Sequence, residues 1–169
     1  EMKVLVAHGI DGSTMDSATH LYNHNSRGTE FGEGCLIANL TSDGSGDNAI
    51  DAQCAVGGGT IWDEDLELNL VAKALPATIP FVYKAGANGY WRRLPSNGYM
   101  AYNGGAGRAQ YNEWTGATWQ LTEVTNNDLF CMHLFAVNDV TEPFFWFIGQ
   151  EGYTTLNNAK EGAKTELYN

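Results

Sequence analysis

The chain has 169 residues, the size of one domain, and its 20 acidic against 9 basic residues give a net charge of -11. Nucleic acids and anionic membrane surfaces attract basic proteins, so this charge argues against both as main partners. A hydrophobic content of 43% argues against disorder, and no apolar run approaches the roughly 18 residues of a membrane span.

The first part of the chain is expected to be β-structure broken by turns. Residues 1–17 are predicted to form a lead-in strand and loop, and the start at Glu1 favours a fragment or a processed end. Residues 18–23 and 35–40 are predicted strands, joined through a polar stretch. Glycine-rich turn signals recur about every ten residues, and this spacing is typical of a sandwich or barrel rather than of a βαβ repeat.

The polar stretch 43–51 resembles a calcium loop in part. Asp43, Ser45, Asp47 and Asp51 offer oxygens at the first, third, fifth and ninth positions of such a loop. Cys54 stands where a bidentate glutamate is required. A solvated loop is therefore the preferred interpretation, with a calcium site as the alternative, and no other cofactor is expected.

A strong apolar segment follows at residues 60–74, with leucines alternating from position 66 to position 70 as in a half-buried strand. It contains the acidic triplet Asp63, Glu64 and Asp65. Paired carboxylates can hydrolyse glycosidic bonds, but acidic side chains in a strand are more often surface groups. We therefore expect surface carboxylates, and a depolymerase using Asp63 and Asp65 is a further hypothesis.

Aromatic and arginine side chains are concentrated between residues 90 and 114. Rings with neighbouring guanidinium and amide donors can stack on sugars or anchor protein interfaces. Packing of Trp91 and Trp114 against the ends of the core is the preferred interpretation, with a binding surface as the alternative. The predicted ligand-binding residues are Tyr90, Trp91, Arg92, Arg108, Tyr111 and Trp114.

The C-terminal part is predicted to hold three strands and one helix. Residues 119–124 alternate partly, whereas 129–137 and 144–148 are continuous apolar runs that predict strands buried on both faces. Residues 154–167 have helical periodicity, with Thr154 or Thr155 as the N-cap. Gly162 is expected to weaken this helix by about 1 kcal/mol relative to alanine.

The predicted fold is mostly β: an antiparallel β-sandwich, jelly-roll-like, with one C-terminal α-helix. Residues 18–152 are assigned to the sandwich and residues 153–169 to the helix that packs on it or leads out of it.

Catalytic motifs are missing from the sequence. Four scattered histidines lack metal-ligand spacing, and His133 is predicted to be a hydrogen-bonded core residue. The three cysteines lack a CxxC spacing, so reduced thiols are expected, with a Cys35–Cys54 pair as the alternative. These features favour a protein that is not an enzyme.

Eight short motifs occur in order along the chain, at residues 47–51, 59–65, 79–83, 89–92, 107–112, 135–139, 142–143 and 148–150. Together they resemble virion proteins of tailed bacteriophages, of the tail-fibre and receptor-binding type. The resemblance covers most of residues 18–169 and rests on ordered short motifs rather than on one diagnostic signature.

The resemblance implies a structural module of a longer protein, located in the virion and assembled in the host cytoplasm. It implies other virion proteins as partners, homotrimers, and a role in the fibre, tail or head decoration that serves assembly or host attachment. The aromatic residues add an alternative function, a carbohydrate-binding module for host-surface glycans.

Overall fold

A computed structural model of the chain describes residues 17–26, 28–41, 52–63, 66–96, 98–104, 108–139 and 141–166. The candidate calcium ligands Asp43, Ser45, Asp47 and Asp51 lie outside these residues, as do Glu64 and Asp65. The described part is mostly β, with several antiparallel sheets and a short C-terminal helix. This confirms the predicted fold class and is consistent with a β-sandwich.

The described elements are short, because turn residues interrupt the chain at close intervals. In chain order they are α1 (Ser17–Ser26), β1 (Thr29–Gly34), β2 (Ile37–Thr41), β3 (Gln53–Val56), β4 (Gly59–Asp63), β5 (Leu66–Leu70), β6 (Phe81–Ala85), β7 (Tyr90–Leu94), β8 (Gln110–Trp114), β9 (Trp119–Glu123), β10 (Leu129–Ala136), β11 (Phe144–Tyr153) and α2 (Leu156–Gly162).

The strands form four sheets. A four-stranded sheet has the order β10-β11-β6-β7, and a three-stranded sheet has the order β1-β4-β5. The pairs β2-β3 and β8-β9 form two smaller sheets. Most pairings are antiparallel, but β11 runs parallel to β6, with Trp146 opposite Phe81. The four-stranded sheet carries the candidate site.

The core lies between the inner face of the four-stranded sheet and strands β3, β4 and β5. Ile79 and Phe81 are fully buried, and Trp146 is 1% exposed. The cluster also contains Cys54, Val56, Ile61, Leu70, Ala77, Phe144 and Ile148. Alternation in β11 directs Phe144, Trp146 and Ile148 inward, so Phe145 and Phe147 lie on the opposite, outer face.

The prediction that residues 129–137 are buried on both faces is wrong. Strand β10 is the edge of the four-stranded sheet, and most of its residues are only half-buried. The apolar side chains of the outer face, such as Phe135 and Phe147, pack against each other instead of under a second sheet. A continuous apolar run therefore marks an aromatic outer surface here.

The prediction of a strand at residues 18–23 is also wrong, because these residues belong to helix α1. Threonine and tyrosine, both present here, favour strands, but this preference does not decide the structure of the segment. The helix does not bury an apolar face: Leu21 and Tyr22 are 58% and 71% exposed. The Ser26 hydroxyl donates to the Tyr22 carbonyl at 2.6 Å, four residues earlier, which is a helical contact.

Helix α2 confirms the predicted C-terminal helix in a shorter form. Its N-cap is Thr155, whose hydroxyl accepts a hydrogen bond from the Asn158 N–H at 3.2 Å. Ala159 is buried against the outer face of the sheet, where its carbonyl accepts a bond from the Cys131 thiol at 3.4 Å. Cys35, Cys54 and Cys131 are free thiols, so the alternative of a Cys35–Cys54 disulfide is wrong.

Candidate functional site: an aromatic band with two cavities

Aromatic rings form a continuous band across the outer face of the four-stranded sheet and onto the β8-β9 hairpin. Phe135 packs on Phe147 with 4.7 Å between ring centroids, and Phe147 packs on Trp91 at 5.4 Å. The Lys84 ammonium lies 5.3 Å from the Trp91 ring and 4.7 Å from the Trp119 ring. This cation links the two halves of the band through cation–π contacts.

The hairpin end of the band opens into a cavity of about 440 Å³, here named the acidic cleft. Its lining combines three aromatic rings, two carboxylates, an amide and a glycine: Tyr111, Glu113, Trp114, Trp119, Gln150, Glu151 and Gly152. Trp114 and Trp119 form one wall, with 5.5 Å between their centroids. The cleft therefore offers apolar rings beside hydrogen-bond acceptors.

The carboxylate of Glu113 is held in place from within the hairpin. The Thr122 hydroxyl donates to it at 2.7 Å, and Gln120 donates in turn to Thr122 at 3.1 Å. Burial, followed by the charge and hydrogen bond of Glu113, raises the pKa of the Tyr111 phenol. Tyr111 is therefore a neutral hydroxyl at physiological pH, and Glu113 is a fixed anion beside it.

Backbone contacts fix the β8-β9 hairpin to the main sheet. Gly86, at the end of β6, donates to the Trp119 carbonyl at 3.0 Å and accepts from the Trp119 N–H at 3.1 Å. Gly86 has a φ of 77°, which a residue with a side chain rarely adopts.

A buried amide completes this attachment. The Asn112 side chain accepts from the Lys84 N–H at 2.7 Å and donates to the Lys84 carbonyl at 2.9 Å. It also donates to the Gln120 carbonyl at 3.2 Å. Asn112 therefore joins strands β6, β8 and β9.

The other end of the band opens into a second cavity of about 640 Å³, here named the helix pocket. It lies between the outer face of the sheet and the C-terminal end of α2. Its lining is Trp91, His133, Phe135, Phe147, Ile148, Gly149, Gln150, Ala163, Lys164 and Glu166. A volume of this size is typical of small-molecule pockets.

A buried carboxylate network lies at the base of the helix pocket. Glu166 is 2% exposed, and its carboxylate accepts from His133 Nε2 at 2.9 Å and from the Tyr153 hydroxyl at 2.5 Å. Burial alone would raise the pKa of Glu166, but the bonds from His133, Tyr153 and the Gln150 N–H outweigh it and lower the pKa. The prediction of a hydrogen-bonded His133 is confirmed.

Two glycines make room for this network. A Cβ on Gly149 would come within 2.7 Å of Glu166 Oε2, and a Cβ on Gly162 would overlap the Tyr153 hydroxyl. Burial raises the pKa of the Tyr153 phenol, and the hydrogen bond and charge of Glu166 raise it further. The network is therefore a compact structural element that ties α2 to β10 and β11.

Gln150 lines both cavities and is only 9% exposed. Its Oε1 has no hydrogen-bond partner among the described residues. A buried acceptor without a donor costs about 1–3 kcal/mol, so native proteins usually provide one. Gln150, in the wall shared by the two cavities, thus carries a buried acceptor that the described residues leave without a donor.

The predicted ligand-binding residues fall into three groups. Tyr111 and Trp114 lie together in the acidic cleft, and Trp91, which is 51% exposed, lies at the helix pocket. Side chains alternate between the two faces of β7, so Tyr90 and Arg92 lie on the face opposite to Trp91. There the Arg92 Cζ lies 5.9 Å from the centroid of the Tyr90 ring.

Arg108 belongs to neither cavity. Its guanidinium donates to the Val124 carbonyl at 3.4 Å. Trp114 is 44% exposed and Trp91 51% exposed, so neither ring is buried in the core that the preferred interpretation assigned to them.

Sequence reasoning missed Trp119, Gln150 and Glu151. Trp119 was assigned to a strand and not to the site, although its place opposite Trp114 follows from pairing the two strands. Gln150 and Glu151 belong to the C-terminal half of β11, which extends to Tyr153 and past the predicted end at residue 148. No sequence signal distinguishes these two residues from ordinary strand residues.

Metal and thiol chemistry find no support in the described part of the chain. No group of three or more His, Cys, Asp or Glu side chains there could hold a metal ion. Burial, and then the charge of Glu166, raises the pKa of the Cys131 thiol to about 11, so it is a poor nucleophile at neutral pH.

Comparison with models of known protein families, with curated proteins and with solved structures finds no match. Among the described residues, no helix is long and apolar enough to cross a membrane.

Proposed function

We propose that this chain is a non-enzymatic structural module of a tailed-bacteriophage virion, of the tail-fibre, receptor-binding or head-decoration type. In this role it assembles with copies of itself and with other virion proteins. One observation carries the proposal: the N-terminal part of the fold exposes apolar side chains that an isolated domain has no reason to expose.

These side chains lie within residues 21–40 and are here named the N-terminal apolar surface: Leu21, Tyr22, Phe31, Leu36, Ile37 and Leu40. Their exposed fractions run from 46% at Ile37 to 73% at Leu36. Strands β1 and β2 contain no buried residue at all. Exposed apolar groups concentrated in one part of a chain mark an interface rather than a solvated surface.

Another copy of the chain is the partner that fits this surface best. Strand β1 is an edge of its sheet, so it is open to pairing with a further strand. Most soluble oligomers are symmetric assemblies of identical chains, and the resemblance to fibre proteins adds a threefold arrangement. We therefore infer a homotrimer in which the N-terminal apolar surfaces meet.

Size-exclusion chromatography with light scattering tests this proposal. We expect a trimer for the 169-residue chain and dissociation of the trimer in Phe31→Asp, because a carboxylate cannot be buried unpaired at an apolar interface. Leu156→Asp is the matched control: Leu156 is 59% exposed but lies on α2, outside the surface. A strict monomer at high concentration would remove the proposal.

Carbohydrate binding is a second candidate function, favoured by the acidic cleft. Tryptophan rings accept the apolar face of a sugar ring, and carboxylate and amide oxygens accept bonds from its hydroxyl groups. The cleft has both, with Trp114 and Trp119 beside Glu113, Glu151 and Gln150. A fibre module that attaches to a host surface would use such a cleft for a glycan.

A glycan array followed by calorimetry tests the second function. We expect Trp114→Ala to weaken binding of any glycan ligand by at least ~10-fold, which corresponds to about 1.4 kcal/mol. Trp62→Ala is the control, since Trp62 is also partly exposed, at 36%, but lies on β4. Equal affinity of the two variants would place sugar binding elsewhere, and silence of the array would exclude this function.

A further inference from the structure

The acidic cleft has an unusual charge pattern for a sugar site. Its lining, all within the described residues, includes two carboxylates and no lysine, arginine or histidine. Its lining residues carry mainly acceptors: the carboxylates of Glu113 and Glu151 and the amide oxygen of Gln150, which has no hydrogen-bond partner among the described residues. Such a lining repels anionic ligands and attracts donors and cations.

The aromatic wall of the cleft also attracts cations. The Trp119 ring already holds the Lys84 ammonium at 4.7 Å from its centroid. Ammonium groups bind to tryptophan faces through the ring quadrupole, and this attraction strengthens where water is excluded. The carboxylates and the rings therefore favour the same kind of ligand group.

The carboxylate of Glu113 is already positioned to bind a ligand cation. The Thr122 hydroxyl already donates to its carboxylate at 2.7 Å. A ligand therefore meets a fixed anion and does not have to order it, which lowers the entropic cost of binding. The buried Gln150 amide supplies a further acceptor within the same cavity.

We propose that the acidic cleft selects amino sugars with a free, protonated amine over N-acetylated and uronic-acid sugars. The ammonium lies between the carboxylates of Glu113 and Glu151, and the sugar ring packs on Trp114. This inference rests on the proposed carbohydrate-binding function and specifies its ligand class.

Isothermal titration calorimetry with three matched tetrasaccharides tests the inference. The probes are oligomers of glucosamine, of N-acetylglucosamine and of galacturonic acid, at a pH at which the glucosamine amine is protonated. We expect the glucosamine oligomer to bind at least ~10-fold more tightly than the acetylated one, and the galacturonic acid oligomer not to bind. The preference should weaken as salt is added.

Charge-neutral variants identify the groups responsible. Glu151→Gln should reduce the preference for the free amine by several-fold, while its effect on the acetylated oligomer stays small. Glu123→Gln is the control, because Glu123 is an exposed glutamate at the end of β9 outside the cleft.

The outcomes separate the two levels of the proposal. Equal binding of the free and acetylated oligomers, unchanged in Glu151→Gln, would overturn the amine selectivity and leave glycan binding intact. Failure of all three oligomers, together with a silent array, would overturn both.

Discussion

The buried carboxylate of Glu166 is stabilised by donors from two strands. His133 lies on β10, and Tyr153 and the Gln150 N–H belong to β11. A charge 2% exposed is tolerated only when bonds of this kind replace its hydration. The segment that follows α2 is therefore held to the sheet through the Glu166 side chain.

We expect Glu166→Gln to lower the free energy of unfolding by about 2–3 kcal/mol near neutral pH, because hydrogen bonds to a charged group are lost. The pKa of Glu166 is lowered by folding, so its contribution is present above the unfolded pKa of about 4.3 and is lost as pH falls through the lower folded pKa. The difference between wild type and variant should therefore shrink below about pH 4.

Urea unfolding at several pH values between 7 and 3 measures this difference. Glu161→Gln is the control, since Glu161 forms an exposed pair with Lys164 at 2.9 Å, and such pairs contribute about 0–1 kcal/mol. A difference between wild type and Glu166→Gln that stays constant from neutral to acid pH would contradict the role of the charge.

At the level of single residues, the sequence identifies the aromatic residues of the candidate site better than the polar ones. Tyr111 and Trp114 stand out because aromatic residues are rare in polar sequence. Glu166 does not, since a glutamate near the end of an amphipathic helix is ordinarily solvated. Its burial depends on Gly149 and Gly162, whose missing side chains admit the network. That dependence is visible only in three dimensions.

Helix α2 contains Gly162, whose missing side chain allows the Tyr153 ring to pack closely against the helix. Sequence reasoning treats Gly162 as a weakness of the helix, since glycine disfavours helical backbone. In the structure, the Tyr153 ring passes the helix where a side chain at position 162 would stand. The helix gives up local propensity and gains close contact with β11.

We expect Gly162→Ala to destabilise the protein by about 1–3 kcal/mol, because the added methyl displaces Tyr153 from Glu166. Helix propensity alone predicts the opposite sign, a gain of about 1 kcal/mol. Thermal unfolding by circular dichroism measures the change. Asn157→Ala, on the exposed side of the same helix, should be neutral or stabilising, and stabilisation by Gly162→Ala would refute the contact.

Elements with a strong pattern were predicted, and those whose burial is decided by distant partners were not. Strand β9 matches its predicted range within a residue, and α2 begins directly after the predicted cap Thr155. Leu21 and Tyr22 of helix α1 are exposed, so no apolar stripe in its sequence marked it as a helix. The apolar run of β10 is continuous as predicted, but the side chains on its outer face, such as Phe135, belong to the aromatic band and not to a second core.

At the scale of the whole molecule, apolar exposure is unevenly distributed. The core gathers residues from β3 to β6 and from β11, whereas α1, β1 and β2 expose most of their apolar side chains. This contrast underlies the proposed trimer, in which the exposed part becomes interior. The net charge of -11 on each copy opposes such an assembly.

Salt should therefore strengthen the trimer. Raising the ionic strength from about 0.01 to 0.1 M shortens the Debye length from about 30 to 10 Å and screens the repulsion between copies. Sedimentation measured over this range should give a several-fold smaller dissociation constant at the higher salt. Binding of an amino sugar should respond in the opposite direction, because attraction is then screened. A trimer that loosens with salt would point to ion pairs rather than apolar contact.

The parallel pairing of β11 with β6 has a consequence for how the chain folds during synthesis. Phe81 and Trp146 are neighbours in the sheet, yet the ribosome must add 65 residues (146 − 81) after the first before it reaches the second. The hairpin of β6 and β7 is therefore synthesised before β11, the strand that pairs with the free edge of β6. Long-range pairing of this kind slows folding. The nascent chain therefore carries the fully buried Phe81 ring unsheltered until Trp146 has been added.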